Sequence, residues 1–362
     1  MKKRLGTAAF LFQNWALIFF AIEFVVFSFV GAGFFSLNGI EIVLWNGTSL
    51  FLLAVAETFV IVTGGIDLSV GYLMGFSTIV SAKVVAALNL TGIGAGPAIL
   101  FGVLITLAVC LIPGMMNGFL VGRLSVPPFI ATFSVGSIVY GVAALMIGGV
   151  AAKDVPSAAL DIGHGYLLYY VPGRGISFFT QPDVPRGTPV YELLSYMVVL
   201  TFVCIVIASF ILKRTRFGRH AYAIGGNIDA AVRAGINTRR HFLAVYMIAA
   251  FFAALSGIIY MLEYVTGKAD AGVSFLLDSI VGVVIGGASL YGGTGSVWGS
   301  ALGCLIISVL VMGFRMSGIQ PFVRYIAVGA VLIITVLIDQ FFPELLGQAG
   351  RRRVKPGAQK ED

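Results

Sequence analysis

A carboxylate inside an apolar run is the first feature of this sequence that demands a chemical reason. Asp67 lies in the stretch TGGIDLSVG, residues 63–71, with apolar residues on both sides. An ionised side chain at the centre of a bilayer costs roughly 2.5–3.5 kcal/mol on insertion scales, so it must face protein, water or solute. Gly64 and Gly65 weaken helical continuity, and Thr63 and Ser69 offer hydroxyls to freed backbone groups or to a hydroxylated solute. Interrupted helices are tolerated at membrane depth only where they line a cavity or are packed in protein. Two readings stand open. Thr63, Gly64, Gly65, Asp67 and Ser69 form a gate or path-lining element, or Asp67 and Ser69 cap the next helix. Asp270 occupies a matching turn, and Asp278 opens a later apolar run as a path candidate or an N-cap. Asn117 either bonds across a helix interface or meets solute. Glu23 and Glu57 lie deeper in apolar runs and need partners or water.

A second chemistry is offered by TRFGRHAYAIGGNIDAAVRAGINTRRH, residues 215–241. After Gly226, Asn227 or Asp229 can cap a short helix, Ala230 and Ala231 favour it, and Gly235 ends it. A short helix with a small-residue face, ringed by arginines, fits a groove on another protein; the alternative is a solvated basic loop. No catalytic constellation accompanies these features. Gly267-Lys268 is followed by Ala269, so there is no phosphate-binding G-x-x-x-x-G-K-[ST], and no H-E-x-x-H or G-x-S-x-G occurs. His164, His220 and His241 are scattered and predict no metal site. Cys110, Cys204 and Cys304 lie in apolar runs without disulfide or ligand spacing.

The elements that position these residues follow from composition. The 362 residues are 59% hydrophobic and 11% charged, with a mean hydropathy of +1.00. Soluble domains carry roughly 25% charged residues, so a large soluble core is excluded and a bilayer is implied. The formal net charge of +7 does not indicate nucleic acid, because the basic residues cluster between apolar runs and report topology. The first run, from Phe10 to about Phe35, is too long for a signal peptide and reads as a spanning helix. Ten spanning segments are predicted, over 10–34, 48–63, 68–88, 97–121, 127–149, 191–212, 242–264, 274–290, 296–314 and 322–342. With the N-terminus inside, 16 Lys and Arg fall on inner segments and 7 on outer ones, which predicts both termini cytoplasmic. Residues 150–190 form an outer loop or small cap. Residues 213–241 are a cytoplasmic excursion, and the tail from about 347 lies beside the membrane. The expected fold class is an all-α polytopic membrane protein, a single transmembrane domain.

An internal repeat runs through this plan. Thr63-Gly64-x-x-Asp67 recurs as Thr266-Gly267-x-x-Asp270, Gly118-Phe119 as Gly313-Phe314, Pro128-Phe129 as Pro321-Phe322, and Gly136 as Gly329. The offsets, 203, 195, 193 and 193, are nearly constant. Units of about 48–149 and 242–342 are separated by an odd number of helices, so the copies are inverted, an arrangement by which transporters alternate access.

Four segments in order resemble bacterial ABC-importer permeases of the ribose, xylose and galactose type. They are VTGGIDLSVG at 62–71, NGFLVGRLSVPPFIATFSVGSIVYG at 117–141, TRFGRHAYAIGGNIDAAVRAGIN at 215–237 and LDSIVGVVIGGASLYGGTGSVWG at 277–299. The resemblance covers nearly the whole chain. It implies a second permease copy, two cytoplasmic ABC ATPase subunits that use ATP and Mg, a periplasmic solute-binding protein, and no cofactor on this chain. It further implies that Asp229-Ala230-Ala231 with Gly235 is the coupling element, with Asp where related permeases often place Glu. The expected location is the bacterial inner membrane. The excursion at 150–190, with PGRG and PDVPRG, is longer than that family leads one to expect. Nucleosides or other sugar-like solutes are the alternative cargo. An ion-coupled carrier, with Asp67 and Asp270 binding H⁺ or Na⁺, is the remote alternative.

Overall fold

The computed structural model describes residues 15–185, 187–320 and 322–351; Lys2, Lys3 and Arg4, Pro321 and the tail beyond 351 lie outside the described residues. Ten apolar helices match the ten predicted segments. They are α1 (Trp15–Val30), α2 (Leu37–Val62), α3 (Val70–Leu90), α4 (Ala95–Leu124), α5 (Pro128–Ile147), α7 (Tyr196–Arg214), α10 (Thr238–Tyr264), α11 (Val273–Ile285), α12 (Val297–Met316) and α13 (Phe322–Arg351). Seven are long and apolar enough to cross a membrane; α1, α11 and the apolar part of α13, Phe322–Thr335, are shorter. Side-chain caps set several starts. Ser36, Ser195, Ser296 and Asn237 accept from the backbone N–H two or three residues into α2, α7, α12 and α10. Pro127-Pro128 opens α5, where a missing N–H costs nothing.

The core is built on α2 and α10, whose spans are mostly buried, whereas α4, α5 and α7 present much of their apolar surface outward. That exposure is the normal outer face of a protein solvated by lipid. α2 and α10 run antiparallel. Thr48 near the start of α2 donates to Glu263 near the end of α10 at 3.3 Å, and the Ser256 hydroxyl donates to the Ser49 carbonyl at 3.1 Å. The repeat appears in the packing. α2 packs on α12 and α11 as α10 packs on α4 and α3; α3 meets α4 and α5 as α11 meets α12 and α13. Exchanging the two halves therefore maps these contacts onto each other, as inverted copies require.

Small residues let the backbones approach, since apolar surface alone does not drive helices together in lipid. Gly114, Gly118 and Gly122, four apart on α4, face Ala250, Leu243 and Arg239 of α10. Gly299 and Gly303 of α12 face Gly286 and Gly282 around the end of α11. Gly71 and Gly272, at the starts of α3 and α11, lie backbone to backbone. Buried hydroxyls add interhelical bonds, Thr58 Oγ1 to Ser300 Oγ at 2.7 Å and Ser77 Oγ to the Ala254 carbonyl at 2.6 Å. Such bonds average about 0.6 kcal/mol each in a membrane.

The excursion between α5 and α7 is more ordered than the sequence led us to expect. It holds a short helix, α6 (Ala158–Gly163), and an antiparallel sheet of β1 (Tyr166–Val171), β2 (Gly175–Phe178) and β3 (Tyr191–Ser195), in the order β2-β1-β3. PGRG is the hairpin turn, with Val171 paired to Gly175. The all-α scaffold thus carries a small β cap, and the helix expected from 191 begins at Tyr196 because 191–195 complete the sheet. Burial pushes the Tyr166 hydroxyl above its ordinary range. At the other end of the bundle lie α8 (Arg216–Gly226) and α9 (Ile228–Arg233).

Candidate functional site

α2 stops at Val62 because Gly64 takes φ +84°, a left-handed conformation that a side chain would strain. The chain from Thr63 to Ser69 then runs back into the bundle before α3 begins. Thr63 Oγ1 donates to the Val60 carbonyl at 2.7 Å, and the Gly64 and Gly65 N–H groups donate to Ile61 and Val60. Asp67 is 2% exposed. Its Oδ1 accepts from the Ser69 N–H at 2.8 Å and the Ser69 hydroxyl at 2.5 Å, and Asn117 of α4 donates through Nδ2 to Ser69 Oγ at 2.8 Å. Thr132 of α5 accepts from the Leu68 N–H at 3.0 Å. The five turn residues and Asn117 are thus brought into one network. Asp67 holds the turn closed on itself rather than capping α3, whose N-cap Ser69 makes no side-chain capping bond.

Glu57, fully buried one helical stretch earlier, accepts the Asp67 N–H at 3.5 Å through Oε2, while its Oε1 has no partner. Tyr246 of α10, buried with its hydroxyl unpartnered, comes close to Gly65. A cavity of about 370 Å³ opens beside the turn, lined by Thr63, Gly64, Gly65, Pro128, Gly225 and Ile228 among others. No nucleophile stands beside a base here, and among the described residues no cluster of His, Cys, Asp and Glu has the make-up of a metal site. What this arrangement can do is bend.

The 215–241 segment reaches the same turn. Thr215 caps α8, accepting from the Gly218 N–H at 3.3 Å, and Asn227 caps α9, accepting from the Ala230 N–H at 2.9 Å. Gly235 closes α9 at φ +82°. Gly226, Asn227, Asp229 and Ala230 are exposed, while Ala231 is buried, so one face of α9 is presented outward and the other is seated. α8 docks by backbone. An added Cβ at Gly225 would collide with the Val62 carbonyl and meet the Gly293 nitrogen at 2.5 Å. One at Gly292 would lie 2.8 Å from Gly64 Cα and 2.9 Å from the Gly225 carbonyl. The Gly293 N–H donates to the Val62 carbonyl at 2.9 Å, and Tyr222 donates to the Gly295 carbonyl at 2.8 Å. Burial pushes the Tyr222 hydroxyl above its ordinary range, which keeps it a donor at neutral pH. Three motifs far apart in sequence therefore meet at one joint of glycines.

Two candidates lie elsewhere. Asp270 is exposed and makes no side-chain hydrogen bond among the described residues, so it does not share the environment of Asp67. Asp278 is not an N-cap: α11 is capped at Gly272, and Asp278 stands in its second turn, ion-paired to Arg324 of α13. This is the one salt bridge among the described residues. Nothing in the sequence singled out Arg324, Tyr222 or Tyr246. Gly292, Gly293 and Thr132 lie within the quoted motifs, but spacing alone did not reveal what they touch.

Comparison with known proteins gives a consistent result. Residues 39–336 match the family described as branched-chain amino acid transport system / permease component. The chain is 32% identical over 326 residues to the fructose import permease protein FrcC of Rhizobium meliloti, covering 90% of this chain and 84% of that protein. It is 35% identical over 289 residues to the ribose import permease protein RbsC of Bacillus subtilis, covering 80% of each. It is 30% identical over 310 residues to the galactose/methyl galactoside import permease protein MglC of Salmonella typhimurium, covering 84% of this chain and 87% of that one. No solved structure matches it. A family match over most of the length, relatives aligned nearly end to end and a bundle of apolar helices agree: the chain is a polytopic import permease and belongs to the branched-chain amino acid transport system / permease component family.

Proposed function

We infer that this chain forms the translocation path of an ATP-driven importer for a monosaccharide of the ribose, fructose or galactose kind. It works with a second permease copy, a periplasmic binding protein that delivers the solute, and cytoplasmic ABC ATPase subunits. The chain holds no cofactor of its own; ATP and Mg act on the ATPase. The protein sits in the bacterial inner membrane, with both termini and α8–α9 on the cytoplasmic side and the β cap outside. The family description names branched-chain amino acids, but the relatives above are sugar permeases, and a network of Ser, Thr and Asn around the turn suits a neutral hydroxylated solute better than a zwitterion.

One observation carries the reading. The exposed face of α9 is continuous with α8, and α8 is pressed backbone on backbone against the break between α2 and α3. A push delivered from outside the chain at α9 therefore reaches the turn that holds Asp67, Ser69 and Asn117 without passing through flexible side chains, and biases a two-state arrangement of the helices. An ion-coupled carrier is disfavoured by the separation of Asp67, buried, from Asp270, exposed.

The test is the double variant Asp229→Arg with Gly235→Trp. Both positions are exposed, and an added side chain at Gly235 meets open space, so folding is preserved while the docking face changes charge and shape. ATPase-coupled uptake in proteoliposomes should vanish, with membrane insertion and yield unchanged. Normal uptake would overturn the coupling role.

A further inference from the structure

The polar side chains that the joint leaves unused gather at the capped end of the bundle. There α2, α10, α11, α12 and α13 surround a cavity of about 120 Å³. Two carboxylates, Glu263 and Asp278, and two guanidiniums, Arg315 and Arg324, line it, so their formal charges cancel. Asp278 and Glu263 are 6% and 4% exposed, depths at which ionisable groups are kept only with partners. Their partnering is incomplete. Thr48 donates to one oxygen of Glu263, and Arg324 pairs with Asp278. Yet Arg324 Nε has no partner, and exposed Arg315 makes no side-chain bond among the described residues. The hydroxyl of Ser308, on the same wall and 5% exposed, is also unpartnered. Tyr260, 4.5 Å from Tyr264 between ring centroids, adds an aromatic surface.

This is a specific set of chemistries. Paired opposite charges supply donors and acceptors at once, as vicinal hydroxyls require, and they repel a solute of either net charge. A flat aromatic wall meets the C–H face of a sugar ring. A purely apolar solute would leave the buried Ser308 and Arg324 atoms unsatisfied, at about 1–3 kcal/mol each. At about 30 Å³ per water the volume corresponds to roughly four waters, enough for the hydroxyl-bearing edge of one ring.

We propose that this cavity is a binding site within each permease subunit for a neutral polyol of the monosaccharide class. The proposal rests on the importer reading and deepens it, placing a solute station beside the β cap. Because Asp278 and Arg324 join α11 to α13 across the cavity, an occupant that bonds to either one is coupled to the relative position of those helices.

The experiment uses the full-length permease in nanodiscs, titrated with D-ribose, D-fructose and D-galactose, with gluconate and glucosamine as charged comparators. Trp45 reports by its fluorescence, since its ring lies 6.1 Å from that of Tyr264, a lining residue; Trp45→Phe identifies its share of the signal. A saturable response to at least one neutral sugar and none to the charged comparators is expected. Ser308→Ala should weaken the affinity about fivefold, the loss of one hydrogen bond, with an unchanged melting temperature, and Asp278→Asn should weaken it further. If the complete transporter imports a neutral sugar while the permease alone gives no saturable response and Ser308→Ala imports normally, the cavity proposal fails and the importer reading stands. If the permease binds a neutral sugar in this way but the complete transporter moves none, the site stands and the importer reading fails. Equal affinity for the charged comparators would also overturn the site.

Discussion

Gly292 and Gly287 form a matched pair that isolates what the glycine joint contributes. Both lie in the loop between α11 and α12, and both adopt φ +87°. Alanine at either position is therefore strained by about 1–2 kcal/mol through the backbone alone. Their surroundings differ. A Cβ at Gly287 meets nothing within 4 Å, whereas at Gly292 it meets Gly64 Cα and N at 2.8 Å and the Gly225 carbonyl at 2.9 Å. Those neighbours are backbone atoms of two other segments and cannot rotate away, so α8, the turn and the loop must separate by a few tenths of an ångström. Overpacking of this kind costs about 1–3 kcal/mol. If the joint carries the coupling, a bias of that size weakens it by about 5–150-fold. Proteoliposomes holding the complete transporter would give solute moved per ATP hydrolysed. Gly287→Ala should match the parent ratio, and Gly292→Ala should lose at least fivefold, with uncoupled hydrolysis left over. Equal ratios in the two variants would show that the contact is merely packing.

Other consequences are quicker to state. Asp67→Ala leaves the Ser69 N–H and hydroxyl without their buried acceptor, at about 1–3 kcal/mol each; uptake or yield should fall, and Asp67→Asn, which retains one acceptor oxygen, should recover part of it. Wild-type uptake and yield from the alanine variant would make Asp67 dispensable. Arg324→Leu strands Asp278 in a site where it is 6% exposed, and should destabilise the fold by about 3–5 kcal/mol. Adding Asp278→Leu should restore most of that loss in a thermal unfolding assay, and failure to do so would mean that the pair is not a unit. Asn117→Ala should reduce uptake more than yield, because it removes a bond to the turn from α4 without touching the small-residue face through which α4 packs on α10.

Much of the architecture was readable because lipid imposes a simple rule: about 20 apolar residues per crossing. All ten segments appear as helices, and the repeat seen in four short matches reappears as exchangeable packing. The failures have physical causes. α2 begins at Leu37 rather than 48, because Asn38, Gly39, Glu41, Asn46 and Gly47 lower the hydropathy of a helix that is nonetheless covered by its neighbours. The sheet was missed because a Pro/Gly-rich segment was read as a loop, although YLLYYV and ISF flank a hairpin turn at PGRG. Asp278 was read as a cap from its place near the start of an apolar run; its partner lies 46 residues away, and no local pattern encodes that. The joint was hidden for the same reason. Each of its glycines is an ordinary turn residue until Val62, Gly225 and Gly292 are brought together in space.

The two halves of the repeat are bonded differently at equivalent places, and this bears on which half moves. In the first half α5 is fastened to the re-entrant turn by neutral hydrogen bonds from Thr132 to Leu68 and its neighbours, and the turn itself is fastened to α8 through glycine backbone. In the second half the corresponding helix, α13, is fastened to α11 by the Asp278–Arg324 ion pair, and the 265–272 turn is fastened to α3 by Thr78, which accepts the Lys268 N–H at 2.8 Å. No external segment presses on that second turn: its outward neighbour is the Ala152 bridge to Gly267, part of the cap side. A force entering at α9 thus acts first on the α2–α3 break. It reaches the second half only where Gly71 and Gly272 touch, near the pseudo-symmetry axis. Inverted copies that began equivalent are in this way given different tasks, one receiving the push and the other holding the charged cavity at the far end.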